Sequence, residues 1–255
     1  MEKEESVPLG RLAEEPYVSI ICYPKPTKAE VKKRLQELEK LQISGIKFCG
    51  KKQILNLNVL GKGCVGIVVV ALRKNEHVAL KIRRVDADRN AMKQEAKLLE
   101  KANSQQVGPK LLAYSRNFLV MQLVEGFLFP EWLRKVRGKT RLRKVLRELL
   151  EQCWRLDQAC LDHGELSHAP KHVIIDENDN SFIVDFETSS LKRKPSNVTS
   201  LCQFLFIGSE TARLVNKKLG GVDKREIINA LREYKKEKSR MTFRKVLETC
   251  GLYTM

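Results

Sequence analysis

The sequence lacks any apolar run of the roughly 18–20 residues that a membrane-spanning helix needs. Its first residues, Met-Glu-Lys-Glu-Glu, lack the basic and then apolar order of a secretory signal peptide. The seven cysteines are scattered and form no C-x-x-C pair, so neither a zinc site nor a disulfide framework is indicated. We therefore expect a cytoplasmic protein with no membrane partner.

Acidic residues are too few to balance the basic ones. There are 48 Lys and Arg against 31 Asp and Glu, which gives a formal net charge of +17. This excess favours an acidic partner, such as RNA, a ribonucleoprotein or an acidic protein. The densest basic segment is 134–144, and smaller clusters lie at 192–194 and 235–240. Ordinary solvated helix faces explain such segments equally well.

A glycine-rich turn between β-branched segments is the most informative motif. Gly61, Gly63 and Gly66 have the spacing G-x-G-x-x-G, a valine-rich segment follows them, and Lys81 lies in the next apolar segment. Protein kinases use such glycines to bring the backbone close to ATP phosphates, and a strand lysine to neutralise their charge. A dinucleotide-binding turn would instead be followed directly by a helix. A plain hairpin that contains glycine is the simpler alternative.

Apolar periodicity predicts a strand-rich first half and a helical second half. Before residue 124 we expect an apolar strand or packed arm at 17–23, helices at 28–43 and 88–102, and strands at 46–48, 54–60, 109–114 and 118–123. After it we expect a hairpin of 173–176 and 182–184, and helices at 129–136, 140–163, 196–206, 209–218, from 223, and 242–249. The resulting division is an N-terminal extension (1–50), an N-lobe (51–125) and a C-lobe (126–255).

Several acidic residues stand where phosphoryl transfer could use them. Glu165 lies in a His-Gly-Glu loop before the predicted hairpin, and Asp185 follows its second strand. One acid could accept a hydroxyl proton while the other binds the metal that bridges phosphates. Asp162 lies nearby and is a second candidate for the working acid. Glu95, on the helix after Lys81, could pair with that lysine and orient it. Turn and surface acids without a catalytic role are the alternative.

In this order the motifs resemble those of an atypical protein kinase. The chain is similar to the RIO kinases and to the small kinase of the KEOPS tRNA-modification complex, and most similar to predicted archaeal serine/threonine protein kinases. The resemblance covers about residues 20–206. It is carried by Leu60–Gly66, Ala79–Ala87, Gly108-Pro109, His163–Ser167, Lys171–Ile174 and Asp185–Glu187.

The resemblance implies a two-lobe α+β kinase fold with an N-terminal helix and strand extension. It implies ATP and Mg²⁺ as cofactors, with Lys81 and Glu95 as the ATP-anchoring ion pair and Asp185 as the magnesium ligand. The implied ATP-binding positions are Gly61, Gly63, Gly66, Val68, Ala79, Lys81, Glu95, Gln122 and Val124, the last two in an interlobe hinge at 121–124.

Three positions depart from the family pattern. Glu165 stands where ordinary kinases have a catalytic aspartate, and its side chain is one methylene longer. The asparagine that binds a second metal is missing, so His172 could be a ligand instead, Lys171 could neutralise phosphate, or the histidine could be purely structural. Glu187 replaces the third glycine of the metal loop.

The expected function is ATP-dependent transfer of a phosphoryl group to a serine or threonine of a protein substrate or of the chain itself. Three alternatives stay open. They are an ATPase that acts on an RNA or ribonucleoprotein partner, a small-molecule phosphotransferase similar to the aminoglycoside kinases, and a non-catalytic pseudokinase scaffold.

Overall fold

A computed structural model describes residues 6–88 and 90–253. The chain divides into two compact units, one of residues 1–100 and 110–123, the other of residues 101–109 and 124–255. The first unit is rich in strands and the second in helices, so the α+β class is confirmed. The boundaries proposed for an extension and two lobes stay a prediction. No helix in the described part of the chain is both long and apolar enough to span a membrane.

In the residues that the structure describes, the first unit is built on a seven-stranded sheet. The strands of the unit are β1 (Val7–Pro8), β2 (Ile43–Lys47), β3 (Lys52–Ile54), β4 (Leu57–Val59), β5 (Gly61–Lys62), β6 (Gly66–Arg73), β7 (Glu76–Arg83), β8 (Leu111–Tyr114) and β9 (Phe118–Gln122). The sheet order is β1-β2-β6-β7-β9-β8 with β5 beside β6, and every pairing is antiparallel. The valine-rich segment after the glycine turn therefore forms β6, because β-branched side chains suit a packed strand.

The prediction of one continuous strand at 54–60 was wrong, because the chain turns at Leu55 and Asn56. The segment belongs to a separate hairpin of β3 and β4. Leu55 and Asn56 form the turn with φ angles of +48° and +65°. A leucine at positive φ is uncommon, so the apolar pattern concealed this turn.

The prediction of a strand or extended arm at 17–23 was also wrong, because Tyr17–Ile21 form a short helix, α1. Short apolar segments do not distinguish a buried helix from a strand by periodicity. The next helix, α2 (Lys28–Lys40), begins as predicted, where the Thr27 hydroxyl accepts from the Glu30 N–H. The helix α3 (Ala91–Asn103) follows β7.

A fully buried arginine joins these N-terminal helices to the sheet. Arg34 of α2 donates to the carbonyls of Ile21 and Arg83 at 2.6 Å each and pairs with Glu30 at 2.9 Å. Its partners satisfy the charge, which would otherwise be costly to bury. Apolar residues of α1 and α2 belong to the same core as the sheet, so these helices are an integral part of the unit.

The second unit contains a small sheet and six further helices in its described part. The sheet has the order β10 (Phe127–Leu128), β11 (Val173–Ile175) and β12 (Ser181–Ile183). The helices are α4 (Phe129–Lys135), α5 (Lys139–Gln158), α6 (Asn197–Cys202), α7 (Glu210–Leu219), α8 (Lys224–Lys236) and α9 (Arg240–Thr249). A π-helical turn, Gln203–Ile207, continues α6.

The predicted helix 140–163 ends earlier than expected. Cys160 has a φ of +56°, and the N–H of Leu161 bonds to the carbonyl of Leu156 at 3.0 Å. This is the Schellman motif that ends many helices, usually with glycine at the left-handed position. With cysteine there, the sequence gives no signal for the stop. Because the helix ends here, residues 162–165 form a loop.

Candidate functional site

The glycine turn joins β5 to β6 in the first unit. The N–H of Gly63 donates to the carbonyl of Gly66 at 2.8 Å and closes the turn. A Cβ on Gly66 would lie 2.9 Å from the carbonyl oxygen of Ile82 and 3.1 Å from Cγ of Lys81. Glycine is therefore required at this position of β6, beside the predicted phosphate-binding lysine.

Lys81 and Glu95 form a buried ion pair in the first unit. The lysine Nζ lies 2.9 Å from Oε1 and 2.8 Å from Oε2 of Glu95. Only 4% of Lys81 and 3% of Glu95 is exposed. Breaking a buried pair by removing one partner costs about 3–5 kcal/mol, because the other charge stays unpaired. The structure thus makes the ion pair that the sequence predicted and fixes the ammonium on β7.

The other proposed nucleotide contacts lie on the same sheet or directly after it. Val68 on β6 is opposite Lys81, and Ala79 on β7 is buried. Gln122 ends β9, where its N–H donates to the carbonyl of Lys110 at 2.9 Å. Val124 follows and belongs to the second unit. The kinase resemblance implies that the Gln122 carbonyl and the Val124 amide contact adenine, and this stays a prediction, as does ATP contact by Val68 and Ala79.

In the second unit, the loop that carries Glu165 is held at its backbone. Gly164 has a φ of +93°, and a Cβ there would lie 2.5 Å from a guanidinium nitrogen of Arg193. The neighbouring His163 is fully buried and hydrogen-bonds through Nε2 to the carbonyl of Val184 at 3.1 Å. Burial, with a smaller contribution from the nearby His172, lowers the pKa of His163 to about 4. His163 is therefore neutral at pH 7 and acts as a packed support for the loop.

The sequence reasoning missed the residues that anchor this loop. Asn197, at the start of α6, accepts from the N–H of His163 at 2.9 Å and donates to the carbonyl of Leu161 at 2.7 Å. It also donates to the carboxylate of Asp157 at 2.8 Å, which in turn accepts from the Tyr234 hydroxyl at 2.9 Å. Burial raises the pKa of Asp157 in spite of these bonds. A Ser-Asn pair before an apolar helix was the available signal, and it indicated only a cap.

Asp162, the second candidate for the catalytic acid, is engaged in hydrogen bonds that stabilise the fold. Its carboxylate accepts from Nε of Arg193 at 2.8 Å and from the N–H of Ser196 at 3.1 Å. Its backbone pairs with Ser190 in an isolated bridge. These bonds hold the segment 190–196 in place, and the Asp162 carboxylate is occupied by them. The geometry therefore favours Glu165 as the chemically available acid of this loop.

Glu165, His172 and Asp185 come together as potential metal ligands. One donor atom from each lies within 4.8 Å of the other two. The Nε2 of His172 is 2.9 Å from Oε2 of Glu165. Asp185 has a φ of +69°, a strained conformation of a kind that is common at functional sites. Two carboxylates fit a divalent cation such as Mg²⁺, whereas an imidazole is an uncommon magnesium ligand.

Lys171 and Glu187 are two further departures from the kinase pattern. Lys171 is exposed and Glu187 is half-buried. Whether Lys171 neutralises phosphate stays a prediction.

Comparison with known proteins agrees with the geometry. A family model described as the RIO domain matches residues 69–202, slightly more than half of the chain. The match includes Lys81, Glu95, Glu165, His172 and Asp185. A protein from Methanocaldococcus jannaschii, named Uncharacterized protein MJ1211, is 28% identical over 118 residues, which is 46% of this chain and 97% of that protein.

Proposed function

Since this chain belongs to the RIO-domain family of atypical kinases, we propose that it transfers the terminal phosphoryl group of ATP to a serine or threonine hydroxyl. The acceptor would be a protein substrate or the chain itself. The observation that carries this proposal is the buried pair of Lys81 and Glu95. A charged lysine fixed by a carboxylate on the next helix is what kinases use to orient the phosphates of ATP.

The glycine turn supports the same function. Backbone N–H groups of such a turn can bind phosphate oxygens, because glycine permits close approach. The N–H of Gly63 already donates to the carbonyl of Gly66. The crowding around Gly66 shows that side chains are excluded beside Lys81. Glycine turn and lysine together would hold the phosphates in the first unit.

The second unit would supply a metal ligand and a proton acceptor. Asp185 would bind Mg²⁺, which neutralises charge on the phosphates when bound. Glu165 would accept the proton of the attacking hydroxyl. Its carboxylate has two oxygens, and one of them already faces His172. The second oxygen would receive the proton.

Calorimetry with Mg-ATP tests the metal assignment. The variant Asp185→Asn should bind nucleotide with less dependence on magnesium, because an amide is a weaker ligand than a carboxylate. Asparagine tolerates the positive φ of this position, so the fold should persist. Glu177→Gln, an exposed acid in the hairpin turn of the same unit, is the matched control. Equal magnesium dependence in wild type and Asp185→Asn would place the metal elsewhere.

A second candidate function, an ATPase that acts on RNA or a ribonucleoprotein, is favoured by the charge of +17. The structure reduces the number of residues in the basic segment 134–144 that are candidates for RNA contact. Arg141 is paired with Asp179, and Lys135 lies 3.6 Å from the ring centroid of Phe127. Arg137, Lys139 and Lys144 are exposed and are better candidates for phosphate contacts.

A salt titration of RNA binding tests this second function. Phosphate contacts release counterions, so affinity should fall steeply as salt rises. Reversing the charges of Arg137, Lys139 and Lys144 should weaken binding about equally for all RNA sequences. The control reverses three exposed lysines of α2 at 32, 33 and 40 and makes the same change in net charge. Equal effects of the two triple variants would exclude a specific basic site.

A further inference from the structure

The imidazole of His172 makes this metal site chemically unlike an all-oxygen magnesium site. We propose that Glu165, His172 and Asp185 together bind one divalent ion of the first transition series, such as Mn²⁺, in preference to Mg²⁺. The inference deepens the proposed function, on which its relevance to phosphoryl transfer rests. The binding of the ion itself depends only on the three side chains.

The spacing of the donor atoms suits a single ion. Ligand distances of about 2.0–2.2 Å allow two ligands of one ion to lie up to about 4.4 Å apart. The three donor atoms lie within 4.8 Å of one another. A shift of a few tenths of an ångström in exposed Asp185 or half-buried Glu165 would close the set around an ion.

His172 is held so that one ring nitrogen serves the cluster. Its side chain is only 9% exposed, and Nε2 faces Glu165 at 2.9 Å. Nδ1 is buried and makes no hydrogen bond within the described part of the chain. The ring packs edge-on against His163, with centroids 5.6 Å apart. Packing therefore aims Nε2 at the two carboxylates, as a histidine ligand requires.

The donor chemistry decides which ion fits. Imidazole suits zinc, iron, nickel and copper, while carboxylates suit magnesium, calcium and manganese. A site of one imidazole and two carboxylates favours first-row transition ions over magnesium, because affinity for sites with nitrogen and oxygen ligands rises along that series, in which Mn²⁺ binds most weakly. Magnesium prefers octahedral oxygen ligands and keeps several waters, so it gains little from His172. Affinity should rise from Mg²⁺ to Mn²⁺ and further along the transition series.

Electron paramagnetic resonance of Mn²⁺ added to the nucleotide-free protein tests the proposal. Pulsed spectra should show nitrogen hyperfine coupling from a coordinated imidazole, and ¹⁵N-labelled histidine should change that coupling. His172→Asn should abolish the coupling and lower Mn²⁺ affinity by about 10–100-fold, the range that even loss of an outer-shell partner produces. Affinity for Mg²⁺, measured by competition, should change much less. His168→Asn, an exposed histidine of the same loop region, should behave as wild type.

The outcomes separate the metal site from the enzymatic activity. Mn²⁺ bound without nitrogen coupling in the wild type, or no Mn²⁺ binding, would overturn the proposal and return His172 to a hydrogen-bond partner of Glu165. With either result, the protein should still transfer labelled phosphate from Mg-ATP if the proposed function is correct. Conversely, nitrogen coupling in a protein without transfer activity would support the site and contradict the kinase function. If His172→Asn does not fold, the coupling in the wild type with and without labelled histidine decides the question.

Discussion

The pair of Asn197 and Asp157 allows a quantitative test of how the Glu165 loop is held. The Asn197 side chain is 1% exposed and bonds to the N–H of His163 and the carbonyl of Leu161. Asn197→Ala would leave both backbone groups unpaired in the interior. Each such group costs about 1–3 kcal/mol. For the two groups together, we expect the free energy of unfolding to fall by about 2–6 kcal/mol.

A charge swap distinguishes this hydrogen-bond network from simple packing. Asn197→Asp keeps the shape but places two carboxylates together, where the amide of Asn197 now donates to Asp157 at 2.8 Å. Adding Asp157→Asn removes one of the two carboxylates and lets the new amide donate to the other, although the backbone N–H of residue 197 then loses the oxygen to which it donates at 2.8 Å. The double variant should therefore be more stable than Asn197→Asp by about 2 kcal/mol, within the range of coupling between contacting residues.

Denaturant unfolding at neutral pH measures both effects. The slope of the transition should stay constant, so that the midpoints report stability alone. A loss below about 0.5 kcal/mol in Asn197→Ala would refute the reasoning, since that is the range of an ordinary surface substitution. So would a double variant no more stable than Asn197→Asp.

Three further predictions follow from buried or crowded positions. The free energy of unfolding should fall as pH drops from 6.5 to about 4, because the unfolded chain binds a proton that buried His163 refuses. The shift corresponds to about 3 kcal/mol, and His163→Gln should flatten this part of a pH series of unfolding curves. Gly66→Ala should destabilise by about 1–3 kcal/mol through overpacking, whereas Gly10→Ala, with nothing within 4 Å of its Cβ, should be near neutral in the same assay. Glu165→Gln should lower the phosphoryl-transfer rate with little change in the free energy of unfolding, whereas Asp162→Asn should lower the free energy of unfolding with a smaller effect on the rate. If kinetics and unfolding curves show the opposite, Asp162 is the catalytic acid and Glu165 the structural one.

Features that depend on local sequence order could be predicted. The glycine turn, the following valine-rich strand and Lys81 lie close together in the chain, so spacing alone placed them on β5, β6 and β7. The partner Glu95 could be predicted too, because the intervening segment is short. These are contacts that residue type and periodicity determine.

Features that depend on exceptions to residue preferences could not be predicted. Cys160 ends α5 at a position that glycine usually occupies, and Leu55 takes a positive φ in a turn. The link from Asp157 to Asn197 spans 40 residues of sequence, and no motif connects the two. His172 was recognised as a possible ligand, but its 2.9 Å contact with Glu165 arises only from the fold.

Transfer of labelled phosphate from ATP tests the central claim most directly. Lys81→Met alone would leave Glu95 charged and buried, so the better variant combines Lys81→Met with Glu95→Gln and removes both charges. Unfolding curves should show that this double variant remains folded. The wild type should label itself or a model protein. The rate of labelling by the double variant should be lower by about 100-fold or more, the scale expected when a donor that stabilises transition-state charge is removed. Transfer at the wild-type rate by the folded double variant would contradict the account.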